Sequence, residues 1–157
     1  MPKLNRKLNI MKILRIRDVK MPEYGTPGSA GIDLFIPEDY PPTILDPNES
    51  VWIPSGIKVN VPAGHALVAM NKSGIAKNRE LLVGACVIDE DYQGEIHIDL
   101  KNVGQGSQEL NPGDKVIQLV CLPVTTVSID EVESEDDLFE GVVTTRGKGG
   151  FGSTGTK

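Results

Sequence analysis

Short segments of this chain alternate apolar and neighbouring side chains residue by residue, and each is cut off by proline or glycine before it grows long. Ile32, Leu34 and Ile36 alternate with Asp33 and Phe35; Ile57, Val59 and Val61 alternate with Lys58 and Asn60; Ile96, Ile98 and Leu100 alternate with Glu95, His97 and Asp99. A period of two puts one set of side chains on one face of an extended strand, so each segment reads as half buried. Between them stand TPG, IPED, PPT, DPNE, PSG, PAG and NPGD, turn signals spaced as in a sandwich or barrel. Val, Ile and Thr number 37 against 19 for Leu plus Ala, which favours strands over helices. SGIAKNRE, at 73–80, is the one plausible helix. The expectation is a single all-β domain, and 157 residues are enough to bury a core but leave little room for a second.

Charge is unevenly laid out. The formal net charge is -6, yet residues 1–17 carry six basic side chains and no acid, and residues 128–145 carry seven acids and no base. A folded body with that balance lacks the positive surface that nucleic-acid binding needs. The basic arm reads as a solvated extension ahead of a first strand near Met11. Cys86 and Cys121 sit in the apolar stretches GACVID and LVCLPV, where a thiol behaves as a small core residue, and with His65 and His97 they lack the close pairing of a metal site. No apolar run approaches a bilayer span and no secretory leader is visible, so a cytoplasmic location is expected.

Two segments carry chemistry. The tail, TTRGKGGFGSTGTK, interleaves glycines with Arg146, Lys148, Ser153 and Thr154, which supplies N–H groups, hydroxyls and cations suited to phosphate oxygens. It is not a P-loop. Phe151 between glycines has no core to join unless the tail folds over something flat, such as a nucleobase; the alternative is an unstructured Gly/Ser terminus. In VGACVIDEDYQGEIHI, at 83–98, two apolar strands flank an acidic stretch and a turn glycine, which reads as a β-hairpin. Asp89, after three apolar residues, is either a partly desolvated general base at a strand end or part of a plain acidic turn.

Together the segments resemble the trimeric dUTPase family. Its five motifs occur in order: GSAGIDL at 28–34, NKSGIA at 71–76, GACVIDEDYQGEI at 84–96, PGDKVIQLV at 112–120 and RGKGGFGSTG at 146–155. The resemblance implies a jelly-roll-like β-barrel or sandwich, a homotrimer with sites shared between subunits, and three regions: a basic extension at 1–11, a β-domain at 12–145 and a glycine-rich lid at 146–157. It implies hydrolysis of dUTP to dUMP and pyrophosphate with Mg2+ held chiefly by the triphosphate, which limits uracil incorporation into DNA and supplies dUMP for dTTP synthesis. Neither a membrane nor nucleic acid is required. Asp89 matches the carboxylate that activates water for attack on the α-phosphorus. Asp33 matches the motif-one Asp that supports the metal through water. Lys72, Ser73 and Gly74 match phosphate-cradling positions at a helix start, and Gln118 matches a phosphate-contacting amide. Arg146 would clamp the terminal phosphates, Phe151 would cover the uracil with Gly152 beside it, and Ser153 and Thr154 would hold the γ-phosphate.

The same resemblance assigns uracil selectivity to backbone groups of Val83, Gly84, Cys86, Val87 and Ile88, against which cytosine would leave mismatched pairs. Tyr92 would stack under the deoxyribose and exclude a ribose 2'-hydroxyl. His97 stands beside the base or simply on the surface. Two residues depart from the family pattern: Lys72 stands where Arg is usual, keeping the charge without the planar fork, and Cys86 stands where Gly is frequent. A dCTP deaminase and a non-catalytic scaffold protein are the competing readings; the tail and the DEDYQG segment argue against the first, and the retained Asp89, Arg146 and Phe151 against the second.

Overall fold

The computed structural model describes residues 10–151, 153 and 155. Strands β1 (Lys12–Arg15), β2 (Glu23–Tyr24), β3 (Gly31–Phe35), β4 (Thr43–Leu45), β5 (Ser50–Pro54), β6 (Ile57–Asn60) and β7 (His65–Asn71) precede helix α1 (Ser73–Arg79). Strands β8 (Leu81–Val83), β9 (Val87–Ile88), β10 (His97–Asn102), β11 (Gln108–Leu110) and β12 (Lys115–Pro123) follow it, and helix α2 (Glu135–Phe139) comes last. The chain divides into two compact units, the first ending at Thr125 and the second beginning at Thr126.

All pairings are antiparallel. The largest sheet has the order β2-β3-β12-β7-β9, a second has β5-β10-β8, and β1-β6 and β11-β4 form two-stranded ribbons. These orders are linear, so among the described residues the strands build open sheets, not the closed barrel that was one form of the expectation. Leu34, Leu67 and Ile117 from the first sheet and Ile53, Ile98 and Leu100 from the second join one fully buried cluster. Each such side chain contributes about 1.5 to 3 kcal/mol over an exposed one.

Three features differ from expectation. In β3 and β10 an acidic partner of the alternation is also covered, Asp33 at 3% exposed and Asp99 at 9%, while His97 of β10 stays exposed. Residues 83–98 do not form a hairpin, because β9 pairs with β7 whereas β10 pairs with β5 and β8, so the segment crosses from one sheet to the other. A second helix, α2, lies in the acidic stretch 128–145; Ser134 caps it by accepting the Asp137 N–H at 3.1 Å, and its first turn holds Glu135, Asp136 and Asp137. Acidic side chains favour a helix N-terminus through its dipole, which offsets their mutual repulsion.

Candidate active site

The first cluster of predicted residues forms where β3, β7 and β12 run side by side. Register places Gln118 of β12 opposite Asp33 of β3 and Met70 of β7. The Asp33 carboxylate accepts from Lys72 on one oxygen and from Lys115 on the other, the latter at 3.1 Å. Burial raises the Asp33 pKa, but the two lysine hydrogen bonds and charges outweigh it and hold the carboxyl below the ordinary range. Gln118 Nε2 donates to the Asn71 carbonyl at 2.9 Å, just before Lys72. Ser73 and Gly74 open α1, which no side chain caps at its N-terminus, and Arg79 ties its other end to Asp114 at 3.3 Å. Asp33, Lys72, Ser73, Gly74 and Gln118, drawn from three motifs, thus gather where the neighbouring strands β3, β12 and β7 meet the start of α1. Lys115, which sequence reasoning passed over, belongs with them.

The second cluster surrounds a cavity of about 260 Å³. Ala85 to Asp89 form one wall, and Tyr92 and Glu95 to His97 form the other. Asp89 follows β9 and is exposed, so in this chain its carboxylate is not the partly desolvated group expected at a strand end; Ile88, beside it, is buried. Cys86 is an exposed free thiol on the cavity wall. His97 faces the cavity together with Trp52, their ring centroids 6.3 Å apart. Trp52 was not foreseen, because a lone tryptophan in the strand SVWIP carries no pattern pointing to a site. A larger cavity of about 430 Å³, on the side of β1 and β6, shares Tyr92 with the first and carries none of the motif residues apart from those of the Glu90–Gln93 turn.

Val83 and Gly84 stand behind the cavity and not on its wall. The Val83 N–H donates to Asn71 Oδ1 at 2.8 Å, the Gly84 N–H to the Asp99 carbonyl at 3.0 Å and the Ala85 N–H to Asp99 Oδ2 at 2.6 Å. The Cys86 carbonyl accepts from the Ala69 N–H at 2.6 Å. These bonds fix the course of the segment, and the backbone groups they do not use are those left for a ligand edge. Asn71 and Asp99 therefore position the segment. Asp99 carried a sequence signal only in hindsight, as an acid on a short strand flanked by Ile98 and Leu100.

Arg146, Phe151 and Ser153 lie in the second unit. Arg146 Nε donates to the Gly149 carbonyl at 2.9 Å, Lys148 pairs with Glu135 at 2.8 Å, and Phe151 packs on nothing, being fully exposed. Gly152 and Thr154 lie outside the described residues.

Among the described residues no three His, Cys, Asp or Glu side chains converge on a possible metal position. A cation held directly by Asp33 fits poorly, since both its oxygens accept from lysines whose charges would repel it; each oxygen keeps a second lone pair that a water can use.

A profile of the dUTPase family matches residues 17–155. The deoxyuridine 5'-triphosphate nucleotidohydrolase of Maricaulis maris is 40% identical over 144 residues, covering 87% of this chain and 88% of that protein. The protein of the same name from Mus musculus is 38% identical over 134 residues, covering 85% and 77%. Among solved structures, a Staphylococcus bacteriophage 80alpha dUTPase with dUpNHpp superposes with a TM-score of 0.82 at 24% identity, covering 94% of this chain and 99% of that one, a likeness of fold. The dUTPase of S. aureus phage phi11, described with a structural Mg(II) ion, gives 0.73 at 25% identity, covering 80% and 98%.

Proposed function

The chain belongs to the dUTPase family, and from that membership we propose that it hydrolyses dUTP to dUMP and pyrophosphate in the cavity between Ala85–Asp89 and Tyr92–His97. The observation that carries this reading is the convergence of Asp89, Tyr92 and His97 on one cavity of nucleoside size, in the same unit as the Asp33 cluster where Lys72, Lys115 and Gln118 gather polar and cationic groups. Asp89, exposed on the rim and free to reach water, orients and deprotonates the water that attacks the α-phosphorus. Backbone groups along Cys86 to Ile88 read the uracil edge, with Val83 and Gly84 fixed behind them by Asn71 and Asp99. Tyr92 stacks under the deoxyribose, and His97 flanks the base.

Lys72, Ser73, Gly74 and Gln118 hold the phosphates. Mg2+ brought with the triphosphate would supply charge neutralisation, and Asp33 is the residue that would meet it through water. Arg146 clamps the terminal phosphates, Phe151 covers the uracil beside Gly152, and Ser153 and Thr154 hold the γ-phosphate. The protein acts as a homotrimer with shared sites, residues 146–157 being the lid. The cytoplasm, a reducing compartment, suits its two free thiols. Ion-exchange analysis of the purified protein with a panel of deoxynucleoside triphosphates tests the reaction: dUMP formed from dUTP alone supports it, and ammonia released from dCTP would assign a deaminase instead.

A further inference from the structure

Tyr92 has little around it. Its side chain divides two cavities and is 44% exposed, so packing alone does not fix the ring. What holds it is polar and short-range: Tyr92 Oη donates to the Glu95 carbonyl at 2.9 Å, and the ring lies across Gly94, where an added Cβ would stand 2.3 Å from that hydroxyl. The same Glu95 carbonyl meets His97 Nδ1 at 3.1 Å. One backbone oxygen thus anchors both side chains that face the nucleoside cavity from this wall.

That carbonyl shares a planar peptide unit with the Ile96 N–H, which donates to the Ile57 carbonyl at 2.9 Å, and the Glu95 side chain is tied to the same turn. Glu95 Oε1 accepts from Arg17 Nε at 2.9 Å and from the Gly56 N–H at 2.8 Å. Arg17 is braced by Asp39 at 3.6 Å, and the Ile16 N–H donates to the Gly56 carbonyl at 2.8 Å, which joins the arm to the same turn. We propose that the Arg17–Glu95 ion pair, seated on the Gly56 N–H, is the positioning device that holds Glu95 in place beside the Ile96–Ile57 backbone bond and so keeps its carbonyl where it anchors Tyr92 as the sugar-facing wall of the cavity. This rests on the dUTP reading above. Burial disfavours the charged form of Glu95, yet the bonds from Arg17 and Gly56 outweigh it and hold its pKa below the ordinary carboxylate range, which keeps the pair ionised near neutrality. Glu95 acts through Tyr92 and is not a catalytic residue. Arg17, the last of the six basic residues at 1–17, becomes part of the site's frame.

The test compares kcat and KM for dUTP and UTP in the parent, Arg17→Met, Glu95→Gln, the double variant and Arg17→Lys. A loosened Tyr92 weakens binding and sugar discrimination more than the chemical step. Arg17→Met and Glu95→Gln should each raise KM for dUTP about tenfold, leave kcat within about threefold and cut the preference for dUTP over UTP about tenfold, the range expected for losing a hydrogen bond to a charged group. The double variant should be no worse than the worse single one, and Arg17→Lys should recover most of the loss. Parent-like KM and preference in the folded variants, or effects that sum in the double variant, would overturn the proposal.

A second readout does not need turnover. With the three tyrosines labelled as 3-fluorotyrosine and the Tyr92 signal assigned by Tyr92→Phe, the fluorine resonance of Tyr92 should shift or broaden in Arg17→Met while those of Tyr24 and Tyr40 stay. If that resonance moves but the parent leaves dUTP intact, the positioning device stands and the dUTP reading fails. If the parent hydrolyses dUTP and the resonance stays, the device is refuted. Where Arg17→Met does not fold, Glu95→Gln, which keeps the side-chain volume, is read in the same way.

Discussion

Asp33 and Asp89 are both aspartates of the motif segments, and their surroundings give them opposite work. Asp33 is buried and holds two lysines; Asp89 is exposed on a cavity rim with no ion pair among the described residues. Asp89→Asn keeps the shape and removes the proton acceptor, so turnover should fall about a hundredfold to ten-thousandfold while dUTP still binds; parent-like single-turnover rates would place the base elsewhere. Asp33 should instead register in stability. Its folded pKa lies below its unfolded value, so its contribution is fully present above about pH 4 and is lost as pH falls through the lower folded value. The stability gap between parent and Asp33→Asn, measured by denaturant midpoints, should therefore be wide at pH 7 and narrow toward pH 3. An equal gap at both values would mean that the carboxylate's charge is not what holds Lys72 and Lys115.

The segment from β8 to β10 is the element on which the site depends, and it is the one the sequence misrepresents. Alternation at Ile57–Val61 is realised as read, because Lys58 and Asn60 reach solvent; strand type and the position of α1 were legible for the same local reason. The hairpin was not, since which strand Val87 and Ile88 join depends on Leu67 and Val68 of β7, distant in sequence. The two aspartates that break the alternation, Asp33 and Asp99, are buried only because tertiary partners satisfy them: lysines for Asp33, and the Ala85 N–H for Asp99. The family motifs named candidate site residues where local pattern did not, but no role attached to Asn71 and Glu95 within them, and Asp99 and Arg17 lie outside them. Gly84 makes the point testable. A Cβ there would lie 2.1 Å from Asp99 Oδ2 and 2.6 Å from its Cγ, so the carboxylate must move off the Ala85 N–H. Gly84→Ala should lower the melting temperature by about 2 to 10 °C, as crowding a packed site by 1 to 3 kcal/mol would, and raise KM for dUTP more than kcat falls. A variant with parent-like melting and KM would show that Asp99 does not position this wall.

At the scale of the whole molecule, the question is how the second unit, with Arg146 and Phe151, serves a cavity built wholly within the first. Among the described residues the bonds of the tail are local, Arg146 to Gly149 and Lys148 to Glu135, and Phe151 is fully exposed, so ordering the glycines gains little without a ligand. Under the proposed mechanism bound nucleotide would reverse that balance: Phe151 would stack on uracil for about 1 to 3 kcal/mol, and Arg146 would meet triphosphate charge in a site closed to water. Deleting residues 146–157 should leave the melting temperature nearly unchanged and lower turnover on the order of a thousandfold, by analogy with other phosphate-clamping arginines. If subunits share sites, that deletion and Asp89→Asn damage different chains' contributions to one site. Mixing the two inactive proteins, with subunit exchange verified by mass, should then restore part of the activity, because some sites combine an intact Asp89 from one chain with an intact tail from another. Exchange without recovery would confine each tail to its own chain's cavity and refute the shared site, whereas full activity in the truncated protein would remove the lid from the mechanism altogether.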